Sequence, residues 1–190
     1  MDIVNKCRES MNKTQILATY VEWIDQNVKP DVYVVATLKQ RIFVNNFGSR
    51  YCILGTFDRY AAAYRQFICR LSKAVYGKRH WRRHKRLIPN AATLEGNGYR
   101  PNSSTSLSKK SISHLKATQS VGKEVHFHLN MMFRRPDHLS LEMFAALIKS
   151  IWLTSDWAWT DINIGQRTGD CVSYSCKEGP ETILVGSLSF

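Results

Sequence analysis

"EVHFHLNMMF", residues 124–133, alternates polar and apolar residues through its first eight positions. In a strand, successive side chains point to opposite faces, so Glu124, His126, His128 and Asn130 share one side while Val125, Phe127, Leu129 and Met131 share the other. The apolar side asks for a core. The polar side projects two imidazoles together, and two neutral imidazoles so placed form half of a divalent metal site. Taken alone H-x-H is a weak sign, since it arises by chance and also suits a purely structural strand.

The segments on either side supply the rest of a sheet and its cover. "NKTQILATYVEWIDQNV", 12–28, has apolar residues at helical spacing and stops before Pro30, and "DVYVVATL", 31–38, reads as a buried strand. "FDRYAAAYRQFICRLSKAVYG", 57–77, is an amphipathic helix closed by Gly77. "RLIPNAATLEG", 86–96, is a strand whose regular part follows Pro89. "SLEMFAALIKSIWL", 140–153, is a helix with a serine cap, "AWTDINIG", 158–165, a strand, and 168–179 a short helix ended by Gly179 and Pro180. "TILVGSLSF" is a candidate to close the sheet. Helices and strands intermingle without a repeated βαβ unit, so the expected class is α+β: a mostly antiparallel central sheet of about five strands flanked by helices. Residues 1–30 are read as an N-terminal helical segment and 31–190 as one domain, with a basic polar loop at 96–123.

Charge narrows the class of partner. The 190 residues carry 27 Lys plus Arg against 15 Asp plus Glu, a net +12, which favours a polyanion and nucleic acid first. In "GKRHWRRHKR", 77–86, Lys78, Arg79, Arg82, Arg83, Lys85 and Arg86 surround Trp81. That interleaving suits a phosphate track with a base-stacking platform, although a solvated basic face gives the same pattern. The stretch from Gly96 to Lys123 contains no acid and includes Lys109 and Lys110, as an arm that settles on DNA would, or a plainly disordered one. No apolar run approaches the roughly 18 residues of a membrane span and the start lacks a secretion-signal layout, so a soluble cytoplasmic protein is expected. The five cysteines form no C-x-x-C pair and indicate neither a disulfide framework nor a zinc knuckle.

A third ligand strengthens the histidine pair. If strand 90–95 pairs antiparallel with strand 124–133, Glu95 at its end faces the histidines, and a neighbouring strand supplies a ligand triangle better than three residues in line. Glu124, beside His126 on the same face, is the alternative. In "VSYSCKE", 172–178, Tyr174 and Lys177 are three apart and share a helix face. A tyrosine hydroxyl is a poor nucleophile at neutral pH, because a pKa of about 10 leaves about 0.1% phenolate, a deficit of about 4 kcal/mol. A metal that polarises the attacked group and a nearby cation can together make up that deficit.

In this order, "ATL" near residue 37, "TLEGNG" before a loop, "VHFHLNMMF" before a helix ending in Trp152, and "YSCKE" resemble the motifs of HUH endonucleases. The likeness is greatest to single-tyrosine initiators of rolling-circle replication and runs from about residue 31 to 180. It implies an RRM/ferredoxin-like HUH domain over 31–190, with His126, His128 and Glu95 as ligands of Mg²⁺ or Mn²⁺. It implies Tyr174 as the nucleophile on a phosphodiester of single-stranded DNA, becoming linked to the 5′ phosphate, and Lys177 as the residue that positions phosphate or metal. Thr37 falls in the first motif without a chemical role. The partners implied are single-stranded DNA, with an origin hairpin expected, and a host helicase.

Three features depart from that pattern or bound it. The loop between Glu95 and His126 is longer than a hairpin turn, which loosens the Glu95 register. No second tyrosine follows Tyr174 at helical spacing. No G-x-x-x-x-G-K-[ST] is present, so no helicase domain is expected. A transposase, relaxase or nickase would share the chemistry. More distant are a cupin-like metal oxygenase, which usually places a glutamate where Met132 and Phe133 stand, and a DNA-binding module without catalysis.

Overall fold

A computed structural model describes residues 12–84, 86–96, 127–177 and 179–184. The chain opens with α1 (Lys13–Trp23), whose Asn12 cap and Gln15 exchange hydrogen bonds with each other's backbone, and runs on as a π-helical turn, Ile24–Val28. Lys29 then takes a left-handed conformation, φ 49°, and Pro30 ends the segment. β1 (Val32–Leu38) follows, then a hairpin of β2 (Arg41–Asn46) and β3 (Ser49–Leu54). α2 (Phe57–Tyr76), α3 (Lys78–His84) and β4 (Asn90–Gly96) complete the first half. β5 (Phe127–Phe133), α4 (Leu141–Trp152), β6 (Ala158–Gln166) and α5 (Cys171–Ser175) make up the second, before a single 3₁₀ turn, Pro180–Thr182.

The main sheet has the order β4-β5-β1-β6 and every neighbouring pair is antiparallel. It therefore has four strands rather than about five, and the β2–β3 hairpin forms a separate two-stranded sheet. Among the described residues, the expected closing strand meets β4 through a bridge, Thr93 to Ile183, and a bond from Leu184 N to Ala92 O, 2.9 Å. Residues beyond Leu184 lie outside those described.

Alternation along the strands divides the interior in two. Val32, Val34, Ala36 and Leu38 of β1 and Leu129, Met131 and Phe133 of β5 face α2 and α4, as the sequence pattern requires. Phe67 of α2 meets the Trp152 ring edge-on at 5.3 Å and Phe133 at 6.3 Å, tying both helices to this face. Among the described residues, the opposite face is covered over part of its length. Ala91 and Met132 pack there with Ile24 and Val28 from the π turn and with Val172, Cys176 and Ile183. The other end of that face, where β1 and β4 finish and β5 and β6 begin, carries polar side chains. No helix among the described residues is long and apolar enough to cross a membrane.

Candidate functional site

One cross-strand row crosses the polar end of the sheet. Glu95 of β4 is paired in register with His128 of β5, and His128 is paired with Thr37 of β1. Partners in an antiparallel ladder share a face, so these side chains stand side by side. β6 completes the row: its pairing of Ile162 with Ala36, continued by one residue, sets Asp161 opposite Thr37, and the register shifts only before Leu38 meets Ala158. The Thr37 hydroxyl donates to Asp161 Oδ2 at 2.9 Å and lies 3.3 Å from His128 Nδ1. With its one proton given to the carboxylate, that hydroxyl accepts at Nδ1. In its neutral form His128 would then have its proton on Nδ1 and a lone pair on Nε2.

Glu95 is held from two sides. Asn130, two residues beyond His128 on the same face, donates to Oε2 at 3.0 Å, and the Lys177 ammonium lies 2.7 Å from Oε1. Burial pushes the Glu95 carboxyl up, but the bonds from Lys177 and Asn130 outweigh it and leave its pKa below the ordinary glutamate value. For Lys177, partial burial pulls the ammonium down, while Glu95 and the Tyr174 hydroxyl outweigh that and raise it above the ordinary lysine value. Lys177 Nζ also stands 3.8 Å from the centroid of the Tyr174 ring. One ammonium thus touches both the carboxylate of the strand row and the aromatic ring of the last helix.

α5 is short and its placement comes from tertiary bonds. Asp170 caps it by accepting from Ser173 N. The buried Thr93 hydroxyl of β4 donates to Ser175 O at 2.9 Å, and Ser175 Oγ lies 3.1 Å from the Tyr33 hydroxyl of β1. Cys176 is fully buried, and burial pushes its thiol up to about 11, so it serves as an apolar anchor rather than a nucleophile. Tyr174, by contrast, is 57% exposed. The helix therefore presents a phenol to solvent beside a pinned ammonium.

The structure brings together Glu95, His128, Tyr174 and Lys177 from the set expected in the sequence. His126 and the alternative ligand Glu124 lie outside the described residues, as do Lys85, Lys109, Lys110 and the loop 97–123. Among the described residues no group of three or more His, Cys, Asp or Glu stands together to hold a metal ion. Glu95 and His128, one carboxylate and one imidazole, stand side by side on the same face, and the Lys177 ammonium is paired with Glu95 Oε1. Two residues of this site were missed as participants in the sequence. Asp161 carries no motif at all, and Thr37, placed in the first motif without a chemical role, shows its part only through its bonds.

The basic cluster falls elsewhere. α3 and Arg86 precede the Asn90 end of β4, and the five residue steps from Asn90 to Glu95 span roughly 17 Å of strand. Lys78, Arg79, Arg82 and Arg83 line a shallow open groove, and Arg86 lies with Tyr76, Arg134 and Arg135 around a neighbouring one. Trp81 is half-buried and the Lys73 ammonium covers its ring at 4.1 Å, so one face of the expected stacking platform is already occupied. Compared with protein-family models, curated proteins and solved structures, the chain matches none.

Proposed function

We propose that the protein cuts and rejoins single-stranded DNA through a covalent link to Tyr174, the reaction with which rolling-circle replication begins. The observation that carries this reading is the bridging lysine: its ammonium touches the Tyr174 ring and the Glu95 carboxylate, and Glu95 stands in register with His128. Tyr174 Oη attacks the phosphorus of a phosphodiester. A bond forms from Oη to phosphorus, the bond to the 3′ oxygen breaks, the phenolic proton goes to solvent, and the 3′ oxygen leaves and takes up a proton. The downstream strand is left on the tyrosine through its 5′ phosphate, and attack by a 3′ hydroxyl reverses the step without loss of the diester's energy. Lys177 steadies the negative charge that gathers on the phenol oxygen and the phosphate. Glu95 and His128, with His126 as the further ligand expected from the sequence, would hold Mg²⁺ or Mn²⁺, which when bound polarises the phosphate. Thr37 and Asp161 leave the Nε2 lone pair of neutral His128 for that ion.

Incubation with Mn²⁺ and a pool of 3′-labelled single-stranded oligonucleotides tests this. A labelled band at protein mass that survives denaturation is expected from the native chain, and Tyr174→Phe abolishes it while His128→Ala removes its metal dependence. The reading falls if Tyr174→Phe gives the same band, or if the DNA is cut with no label left on the protein.

A further inference from the structure

The β2–β3 hairpin carries three large rings in water. Ile42 and Ile53 at its base pack on the core. Beyond them Phe43 is 53%, Tyr51 54% and Phe47 99% exposed. Single exposed apolar residues are ordinary, but here Phe43 shares one face with Arg41 and Arg50, Tyr51 lies on the opposite face beside Val44, and Phe47 stands at the tip, so exposed rings flank and end the hairpin. The turn adds a second oddity. Phe47 and Gly48 both have positive φ, 46° and 78°, as a two-residue turn of this kind needs. Glycine and asparagine suit that backbone, whereas a bulky phenylalanine at the first position is strained. A residue that strains its backbone and gains no packing in return has its use outside the folded chain.

Charge identifies the user. No acid occurs between Asp31 and Asp58, and Lys39, Arg41 and Arg50 lie in that interval. The Arg50 guanidinium stands 4.3 Å from the Phe43 ring centroid, which places a cation and a flat ring on one face of the hairpin. Asn45, Asn46 and Ser49 surround the tip, and polar groups there suit a hydrated polyanion rather than hydrocarbon. Rings for bases and guanidinium groups for phosphates are the two parts of a single-strand binding surface. Its position is apt as well: the hairpin leaves β1 directly after Thr37 and Leu38, the end of the sheet that carries Glu95 and His128.

We infer that the β2–β3 hairpin grips single-stranded DNA beside the tyrosine site, with Phe47 stacking on a base at the tip and Arg41 and Arg50 meeting the phosphates. The inference deepens the nicking-and-joining reading and rests on it for the identity of the polymer.

The test measures anisotropy of a fluorescein-labelled thymidine-rich oligonucleotide with the full chain, its Phe47→Asn variant and Tyr174→Phe. Asparagine removes the ring and suits the turn, so the melting temperature should hold or rise while affinity falls about tenfold, the loss of one stacked base. Ultraviolet cross-linking of the native complex should mark the peptide that spans Phe43 to Tyr51. The inference is overturned if Phe47→Asn binds as tightly as the native chain and the cross-links map elsewhere. It is also overturned if the substitution leaves DNA affinity intact but abolishes binding to phosphatidylglycerol–phosphatidylcholine vesicles. Tyr174→Phe separates the two ideas: if it still forms the covalent adduct, the tyrosine assignment fails, while a weakened Phe47→Asn complex still supports the hairpin contact.

Discussion

Lys177 occupies the position on which the chemistry turns, because the charge that neutralises Glu95 is also the charge nearest the Tyr174 ring. Glu95 titrates below its ordinary value, so the pairing is present at neutral pH and is lost as pH falls through the depressed carboxyl pKa. Lys177 titrates above its ordinary value, so on the alkaline side the pairing persists until pH passes the raised ammonium pKa. Lys177→Met should therefore raise the Glu95 carboxyl midpoint, read by ¹³C NMR, and slow adduct formation on the order of 100-fold. An unmoved midpoint would show that the ammonium does not hold the carboxylate. Thr37 acts one bond further out. Thr37→Val removes the hydroxyl between Asp161 and His128, and Mn²⁺ affinity measured by titration calorimetry should fall about tenfold, with Thr37→Ser restoring it. Equal affinity in all three proteins would remove Thr37 from the site.

At the scale of elements, α5 depends on its neighbours, since so short a helix has little stability of its own. Thr93→Val leaves the buried Ser175 carbonyl without its donor, a loss of about 1–3 kcal/mol, and lets the tyrosine helix shift. The expected outcome is a lower melting temperature together with slower adduct formation, whereas slower chemistry at unchanged stability would point to a different role for Thr93. Most elements were legible because each had a strong local signal: the Ser140 cap of α4, Pro89 before β4, the β-branched run of β1, and the alternation of β5. The β2–β3 hairpin was not. Its turn is Phe-Gly where Asn-Gly would have announced it, and its exposed rings break the expected rule of one apolar face. In the sequence the antiparallel pairing of 90–95 with β5 is only a condition, and the structure has it, with Glu95 opposite His128. Asp161 was hidden because 158–165 reads as a strand without a stated neighbour, and only its pairing with β1 sets Asp161 opposite Thr37.

At the scale of the whole molecule, the basic cluster of α3 stands away from the tyrosine site among the described residues. Sequence proximity gave no means to see that α3 lies beyond the far end of β4, because a strand carries its two ends apart. A long single strand that reached from Tyr174 to the groove of Lys78, Arg79, Arg82 and Arg83 would gain affinity there without changing the chemistry. The double variant Arg82→Ala with Arg83→Ala should reduce the slope of log affinity against log salt by about 1.4, from a contribution of about 0.7 per phosphate contact on single strands. The adduct rate at saturating DNA should be unchanged. A fall in that saturated rate would place the groove in the reaction rather than in binding.

The identity of the linked atom decides whether Tyr174 is the nucleophile. After reaction with single-stranded DNA and exhaustive nuclease digestion, mass spectrometry of the peptide containing residue 174 should show a nucleotide 5′ phosphate on the Tyr174 oxygen. Cleaved DNA with Tyr174 unmodified, or a nucleotide carried on any other side chain, would contradict it.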